Sequence, residues 1–284
     1  DSLPFSDVVS CAIALLAAGC SGSGATKGQR TVVAAFYPLA FAAVAIGGAK
    51  VHVENLTPPG AEPHDVELSP RAVGRLQQAD LVLYLSHRFQ LAVEDAAKKA
   101  QGTRLDALAG LHLRESSEGT DPHVWLDPVL FARIARRIGA ALGRPARAAA
   151  FDDRLRRLDR EYRAGLRHCA RREFVTSHAA FGYLAARYDL RQIPITGIDP
   201  EAEPSPGRLR DLVELVRREG VTTVFFERLV SPRLAETVAR EAGAKAEVLD
   251  PIEGLTSSEE QRGDDYFTLM RRNLSQLRGA LGCR

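Results

Sequence analysis

Short apolar runs rich in Val and Ile alternate along the chain with longer segments of helical periodicity. This alternation is typical of parallel α/β units, in which a helix connects two neighbouring strands of one sheet. The predicted strands form an early group and a late group: 31–36, 51–56 and 81–86, then 173–176, 221–226 and 246–249. The pattern therefore predicts an α/β fold with mostly parallel sheets in two similar lobes.

The segment 146–170 separates the two groups of strands. Its apolar residues, such as Leu158 and Tyr162, recur at helical spacing, and it contains no internal proline. At a rise of 1.5 Å per residue such a helix is ~35 Å long, about the width of a small domain. We interpret it as a linking helix between an N-terminal lobe, 31–145, and a C-terminal lobe, 171–284. The alternative is an ordinary surface helix within one domain.

The size and charge of the chain exclude some classes of protein. Its 284 residues exceed one typical domain of ~100–200 residues and fit two lobes. Lys and Arg number 38 against 36 Asp and Glu, which gives a formal net charge of +2. Nucleic-acid-binding proteins usually carry a clear basic excess, so this balance argues against that class. No run reaches ~18 apolar residues, so the sequence predicts no membrane-spanning helix in the mature protein.

The N-terminal residues have the features of a targeting segment. Residues 8–19 form an apolar run of the length found in signal peptides, and small residues precede Cys20. We expect 1–20 to be a signal peptide with a lipobox that resembles those of bacterial lipoproteins, and 21–30 to be a flexible Gly/Ser-rich tether. No Lys or Arg precedes the run, and Ala17 stands where a lipobox usually has Leu. A short buried helix followed by a Gly-rich loop is the alternative.

Two cysteines, Cys169 and Cys283, remain once Cys11 is removed with the predicted signal peptide and Cys20 is set aside as the lipobox cysteine. An even pair in an exported chain favours a disulfide, because such bonds persist in oxidising compartments. This bond would join the C-terminal helix to the second lobe and, in the chain-entropy description, contribute roughly 4–5 kcal/mol. Two unpaired buried thiols are the alternative.

Candidate metal ligands follow strands of both groups. His64, His178 and Asp250 each lie just beyond a predicted strand, where open α/β sheets place their ligand sites. His123 lies in a polar turn before a helix that begins with proline. Two of the four come from each lobe, so a site built from them would lie in the cleft. Three imidazoles and one carboxylate suit Zn²⁺ in tetrahedral geometry, although a single loop histidine is more often only hydrogen-bonded.

Other polar residues near these positions have less definite roles. Glu62 is either an alternative carboxylate ligand or an exposed side chain, and Glu227 is interpreted as a polar anchor at the cleft. Asp65 either orients His64 through its second ring nitrogen or caps a helix. The remaining histidines are interpreted as structural: His52, His87, His112 and His168.

Sequence motifs of several enzyme classes are missing from the chain. It contains no HExxH, no phosphate-binding loop ending in GK[ST], no GxSxG and no zinc-deaminase motif. Three histidines and one aspartate would also fill the coordination position that catalytic zinc sites keep for water. These observations favour binding and release of a metal over an enzymatic reaction.

Five segments in order resemble the metal-receptor class of ABC-transporter solute-binding proteins, in particular the high-affinity zinc-uptake lipoproteins. The segments are PPGAEPHDVELSP, DPHVWLDP, TSHAAFGYLAARY, FFERLVSPRLAETVAREAG and VLDPIEGL, and the resemblance covers about 31–282. It implies two α/β lobes joined by a long helix, with the metal between them. The implied ligands are His64, His123, His178 and Asp250. Because the fourth ligand varies among relatives, Glu62 or water is the alternative to Asp250.

The resemblance also bears on the choice of metal. Manganese receptors have Glu in the position of His178, so zinc is favoured. The segment before His123 is short and lacks the His-rich tract of many zinc receptors.

The resemblance implies an extracytoplasmic lipoprotein, anchored to the bacterial membrane through lipid on Cys20, that captures Zn²⁺ and delivers it to an ABC permease and its ATPase. We expect a monomer whose zinc binding weakens below roughly pH 6, as imidazoles become protonated. The alternatives are a receptor for manganese or another divalent metal, a metal-binding surface adhesin and, with least support, a zinc-dependent hydrolase.

Overall fold

The computed structural model describes residues 28–116 and 118–284, so the predicted signal peptide and most of the tether lie outside the described residues. Two four-stranded parallel sheets and one small antiparallel hairpin form its β-structure. Each large sheet, with its helices, is one lobe. The prediction of two α/β lobes with mostly parallel sheets is confirmed.

The first lobe is built from the early group of strands. They are β1 (Arg30–Ala34), β2 (Val51–Asn55), β3 (Leu81–Tyr84) and β4 (Thr103–Asp106), which pair in the order β2-β1-β3-β4. The helices between them are α1 (Tyr37–Gly47), α2 (Pro70–Gln78) and α3 (Leu91–Ala97). The sequence pattern does not predict β4, because it is a short edge strand with mostly polar residues.

A short hairpin follows the first sheet and contacts both lobes. Its strands are β5 (Arg114–Ser116) and β6 (Gly119–Asp121). The hydroxyl of Tyr183, in the second lobe, accepts a hydrogen bond from the backbone N–H of Arg114 and donates one to the carbonyl of Asp121, both at 2.9 Å. The hairpin is therefore fixed to the second lobe although it belongs in sequence to the first.

Two consecutive helices, α4 (Pro128–Leu142) and α5 (Pro145–Gly165), lead from the first lobe to the second. Asp127 caps α4 by accepting hydrogen bonds from two backbone N–H groups of its first turn. The long helix α5 ends at Gly165, whereas the sequence pattern predicts a helix to 170. Its buried Tyr162 donates a hydrogen bond to the carbonyl of Met270 at 2.6 Å, which joins α5 to the C-terminal helix of the second lobe.

The second lobe repeats the architecture of the first. Its strands are β7 (Glu173–Thr176), β8 (Arg191–Pro194), β9 (Thr223–Phe226) and β10 (Lys245–Val248), which pair in the order β10-β9-β7-β8. Its helices are α6 (Gly182–Arg187), α7 (Pro206–Arg218), α8 (Arg233–Ala242), α9 (Ser257–Arg262) and α10 (Tyr266–Leu281). The sequence pattern does not predict the polar edge strand β8, nor does it predict the hairpin strands β5 and β6.

The apolar core connects the lobes. One continuous cluster of buried side chains runs from the first sheet through α4 and α5 to α10 and reaches Phe174 and Phe225 of the second sheet. A separate, smaller cluster lies between the second sheet and the helices α7 and α8. The two lobes are thus packed together along α5 and α10.

The predicted disulfide between Cys169 and Cys283 is confirmed. Two backbone hydrogen bonds flank it, from Ala170 to Gly282 at 3.3 Å and from Arg171 to Leu281 at 3.1 Å. The end of α10 is therefore fastened to the segment that leads into β7. Of the helices in the described residues, none is both long enough and apolar enough to cross a membrane.

Candidate metal centre

Four side chains converge in the cleft between the lobes. They are His64, His123, His178 and Glu253, and the ligand atoms that they offer lie within 4.8 Å of one another. Oε1 of Glu253 lies 3.0 Å from Nε2 of His123, 3.5 Å from Nε2 of His64 and 3.8 Å from Nε2 of His178. The Nε2 atoms of His123 and His178 are 3.3 Å apart. In the described residues, no other group of three or more His, Cys, Asp or Glu side chains converges in this way.

The ends of strands place these side chains. His64 lies in the loop after β2, His178 lies two residues after β7, and Glu253 lies in the loop after β10. His123 lies two residues after β6 and begins the short 3-10 turn Val124–Leu126. The carboxyl ends of strands from both parallel sheets therefore meet at the cleft, as the sequence predicts for His64 and His178.

Two of the histidines are fully buried and held by carboxylates. Nδ1 of His123 lies 2.8 Å from Oδ1 of Asp121, and Nδ1 of His178 lies 2.6 Å from Oε1 of Glu227. A carboxylate that accepts a hydrogen bond from Nδ1 fixes the ring and leaves the Nε2 lone pair for a metal. Ser177 donates a further hydrogen bond to Oε1 of Glu227 at 2.5 Å. Glu227 is thus an anchor at the cleft, as the sequence predicts.

The structure does not place Asp250 among the converging side chains. Its Oδ1 accepts a hydrogen bond from the backbone N–H of Ile252 at 2.7 Å, and its Oδ2 lies 3.9 Å from Nε of Arg228. Ile252 has a φ of 59°, which is unusual for a β-branched residue, and this turn brings the next residue into the cleft. Glu253, rather than Asp250, therefore supplies the carboxylate of the group, and the prediction for Asp250 is not met.

Glu62 lies beside the group without joining it. Its Oε1 accepts a hydrogen bond from the backbone N–H of His64 at 3.1 Å. Burial and the neighbouring Glu253 raise the pKa of Glu62 to about 9, so this side chain is mostly protonated near pH 7. Asp65 is exposed and makes no described hydrogen bond or ion pair with His64. It does not cap α2 either, because the capping side chain there is Ser69.

The converging groups shift each other's protonation. Burial alone would lower the pKa of His123, but its contacts with Asp121 and Glu253 outweigh burial and raise this pKa to about 10. Burial would raise the pKa of Glu253, but its contacts with His123 and His64 hold it far below its ordinary value. Oε2 of Glu253 is buried without a hydrogen-bond partner, and Oε1 of Glu253 and Nε2 of His64 have none outside the converging group itself. Buried polar atoms without partners are destabilising, and one bound cation would satisfy all three.

Aromatic rings border the group on the side of the first lobe. Phe89 packs edge-on against His64 with ring centroids 4.6 Å apart, and the ring of Trp125 lies 5.2 Å from that of His123. The indole N–H of Trp125 donates a hydrogen bond to the carbonyl of Pro251 at 2.7 Å, which connects this wall to the second lobe. Apolar walls lower the local dielectric and strengthen the interaction between a cation and its ligands.

A cavity of about 430 Å³ reaches His64 from outside the cleft. His87 lines it, and Nδ1 of His87 lies 3.2 Å from the hydroxyl of Thr120. Four histidines, for which the sequence predicts structural roles, do not join the converging group: His52, His87, His112 and His168.

The donor set has a definite chemical preference. Three neutral imidazole nitrogens and one carboxylate oxygen match the tetrahedral coordination that Zn²⁺ takes in proteins. Sites for Ca²⁺ and Mn²⁺ use more oxygen ligands. The group is therefore suited to a borderline-soft transition-metal ion.

The fold and this centre define a class: two-lobed α/β proteins that offer metal ligands from both lobes in the cleft between them. Residues 32–280 match the family ZnuA, described as "Zinc-uptake complex component A periplasmic". The chain belongs to this family.

Two relatives show how far the similarity extends. The "Zinc-binding protein AdcA" of Streptococcus pyogenes serotype M3 is 35% identical over 288 residues, which is 89% of this chain but 56% of the relative. This chain thus spans little more than half the length of that relative. The "High-affinity zinc uptake system protein ZnuA" of Bacillus subtilis is 33% identical over 305 residues, which is 96% of each chain.

Solved structures show the same fold. The Zn(II)-bound ZnuA-like domain of AdcA from Streptococcus pneumoniae has a TM-score of 0.78 and 34% identity, covering 89% of this chain and 99% of that one. The laminin-binding protein Lmb of Streptococcus agalactiae, described as bifunctional with adhesin and metal-transporting activity, has a TM-score of 0.82 and 32% identity. That match covers 89% of this chain and 100% of the other.

Proposed function

We propose that this protein captures Zn²⁺ between its lobes and delivers it to an ABC permease and its ATPase for zinc uptake. The observation that carries the proposal is the convergence of His64, His123, His178 and Glu253 in the cleft. Each lobe contributes two of these side chains, so a bound ion would join the lobes. The four residues are the proposed ligands, with Glu253 in the place that the sequence predicts for Asp250.

The names of the relatives support the proposed metal and its transport. The Bacillus subtilis relative, which matches over nearly its whole length, is named a high-affinity zinc uptake protein. A structure of the pneumococcal relative is described as Zn(II)-bound. The zinc-type donor set of this chain agrees with both and disfavours a manganese receptor.

The proposed location is outside the cytoplasmic membrane. The family description is periplasmic, and the pneumococcal relative is named a lipoprotein. We propose that Cys20 carries the lipid, that 31–145 and 171–284 are the lobes, that 146–170 links them, and that the protein works as a monomer.

Capture and release of Zn²⁺ would depend on the charge of the ligands and on movement of the lobes. Deprotonated ligands from both lobes close around the ion, and docking on the permease separates them. Because α5 and α10 share one continuous core with both lobes, small movements of the lobes are favoured over wide opening.

The proposed activity is binding rather than catalysis. Three imidazoles and one carboxylate complete a tetrahedral zinc site, whereas a hydrolytic site keeps one position open for water. A second activity as a zinc hydrolase therefore has no support from this arrangement.

Isothermal titration of chelator-treated protein with Zn²⁺, followed by Mn²⁺, tests the proposal. We expect one tight zinc site and much weaker manganese binding. If no tight zinc site is found, the proposed function is wrong. A preference for Mn²⁺ would retain a transport role but contradict the metal assignment.

A further inference from the structure

The β5–β6 hairpin connects the lobes at a point that the proposed ligands do not touch. Oε2 of Glu118, between β5 and β6, accepts a hydrogen bond at 2.7 Å from the backbone N–H of Ile198 in the second lobe. Glu118 also lines two cavities, the one of about 430 Å³ that reaches His64 and another of about 390 Å³ beside the second lobe. This single side chain therefore bridges the mouth of the cleft.

On the side of the first lobe, the contact leads to His123 within a few residues. Glu118 directly precedes β6, and the last residue of β6 is Asp121. Asp121 holds both Nδ1 of His123, at 2.8 Å, and its backbone N–H, at 3.0 Å. A displacement of Glu118 would therefore be passed along three residues of strand to the carboxylate that orients this ligand.

On the side of the second lobe, the contact leads to His178. Gly197, the residue before Ile198, accepts a hydrogen bond at 2.7 Å from the backbone N–H of Ala179, which adjoins His178. The next residue back, Thr196, donates its own backbone N–H to the carbonyl of Ser177 at 2.8 Å. The Glu118 contact thus joins the loops that carry one buried histidine from each lobe.

Gly197 makes this contact sterically possible. A Cβ atom at position 197 would overlap the carboxylate of Glu118. The backbone of Gly197 does not have a positive φ, so a larger residue is excluded by the neighbouring carboxylate and not by strain. Since that carboxylate ends a flexible side chain, a methyl group at 197 would displace it without requiring the backbone to move.

We propose that Glu118 is a positioning residue for the metal centre, whose hydrogen bond to Ile198 holds the His123 and His178 loops together and slows the release of Zn²⁺. The inference rests on the proposed function, because it requires that the cleft binds zinc. The contact has a charged acceptor, which makes it stronger than a hydrogen bond between neutral groups. Its effect is expected in the dissociation rate, since moving the His123 loop away from the second lobe must break this contact together with those of Tyr183.

The test compares Glu118→Ala, Gly197→Ala and the double variant in the full chain. Zinc release into excess chromophoric chelator is followed by stopped flow, and zinc association is measured separately. Each single variant should release zinc about tenfold faster, the effect of losing one hydrogen bond to a charged group. The double variant should release it no faster than either single variant, because both substitutions remove the same contact.

Two matched controls and one conservative variant refine the test. Glu203→Gln removes a charge from an exposed residue of the same rim, and Gly207→Ala adds a Cβ that meets nothing closer than 3.8 Å. Neither control should change the release rate. Glu118→Gln keeps an oxygen that can accept from Ile198 and should restore part of the slow release. The absorption spectrum of the Co²⁺-loaded protein should shift in Glu118→Ala and Gly197→Ala only.

Three outcomes are distinguishable. Wild-type release rates in Glu118→Ala and Gly197→Ala would overturn the inference and leave the proposed function intact. Slower association with unchanged release would also overturn it, because Glu118 would then act by attracting the cation. If the unaltered chain shows no tight zinc binding, the proposed function and the inference that rests on it are both overturned. Should Glu118→Ala fail to fold, Gly197→Ala and Glu118→Gln decide the question.

Discussion

His123 and His178 are fully buried and each has a carboxylate on Nδ1, whereas His64 is only partly buried and lies at the inner end of a cavity. Within the described structure no carboxylate contacts Nδ1 of His64. The two buried rings are oriented before an ion arrives, since Asp121 and Glu227 fix their rotation. The ring of His64 is instead restrained by contacts with neighbours such as Phe89 and Glu253. Among the four proposed ligands, we interpret His64 as the one on the entry side.

The two histidines that carboxylates orient, His123 and His178, belong to different lobes. Each lobe carries one oriented imidazole, and the Nε2 atoms of this pair are 3.3 Å apart in the structure. Under the proposed function, closing of the lobes would bring together two groups that need little further ordering. Glu253 contacts all three imidazoles, so it joins the two oriented histidines to His64 within the proposed ligand group.

The largest effect is expected from removing either oriented histidine. If the ~10–16 kcal/mol of a typical protein zinc site is shared by four ligands, one ligand contributes ~3 kcal/mol or more. His123→Ala and His178→Ala should therefore each weaken zinc binding by ~100-fold or more, measured by competition with a chelator. The exposed histidine variant His168→Ala is the control. Unchanged affinity in either ligand variant would contradict the site assignment.

The next effect separates the two acidic residues of the loop after β10. Glu253→Gln should weaken zinc binding by ~100-fold, because it removes the charge that faces all three imidazoles. Asp250→Asn should change zinc affinity little, since an amide oxygen can still accept the hydrogen bond from Ile252. Isothermal titration of both variants decides between them. The reverse order of effects would restore Asp250 as the fourth ligand.

An intermediate effect is expected from the carboxylates that orient the buried rings. Asp121→Asn and Glu227→Gln should each weaken zinc binding by about 10–100-fold, as is typical when a hydrogen-bond partner of a metal-bound histidine is lost. Asp65→Asn, next to the unsupported His64, should have no effect. If Asp121→Asn, Glu227→Gln and Asp65→Asn all bind zinc with the same affinity, carboxylate contacts at Nδ1 do not distinguish His123 and His178 from His64.

Much of this architecture follows from local sequence patterns. The central strands β1, β3, β7 and β9 are short apolar runs because helices cover both faces of each sheet. The sequence pattern does not predict the edge strands β4 and β8, because solvent borders one side of each strand. Their sequences, TRLD and RQIP, show no alternation of apolar and polar residues. Their pairing is decided by the neighbouring strand rather than by their own residues.

The residues of the candidate site also differ in how far the sequence predicts them. The three histidines can be found from sequence because each follows a strand or begins a distinctive turn. Glu253 cannot be separated from Asp250 by strand position, as the choice depends on the positive φ of Ile252 and on the hydrogen bond that occupies Asp250. The sequence does contain one signal for Glu253. This residue stands in the otherwise apolar segment IEGL, where a charged residue needs a partner. Asp121, likewise, has the two-residue spacing before His123 as its only local signal.

A smaller effect is expected from His64 itself. His64→Ala should weaken zinc binding by only about tenfold, because water from the adjoining cavity can take the vacated coordination position. Zinc titration of this variant beside His123→Ala measures the ratio directly. Equal losses in the two variants would show that the entry-side ligand is held as firmly as the buried pair.

The last prediction concerns protons. His123 has its pKa raised to about 10 from an ordinary 6.5, so near pH 7 the metal-free centre holds a proton on this ring that Zn²⁺ must displace. Apparent zinc affinity should therefore rise by up to tenfold per pH unit and level off near pH 10, rather than falling only below pH 6. The same shift stabilises the metal-free fold fully below about pH 6.5, and this contribution is lost as the pH rises through about 10.

Titrations at pH 7.5 in two buffers with different ionisation enthalpies count the released protons. We expect about one proton from His123, and a second if the bound cation also ionises Glu62, whose pKa is raised to about 9. Glu62→Gln removes this second source and should leave about one. Release of no proton from the unaltered protein would mean that His123 is already neutral, and that its two carboxylate contacts orient the ring without holding a charge on it.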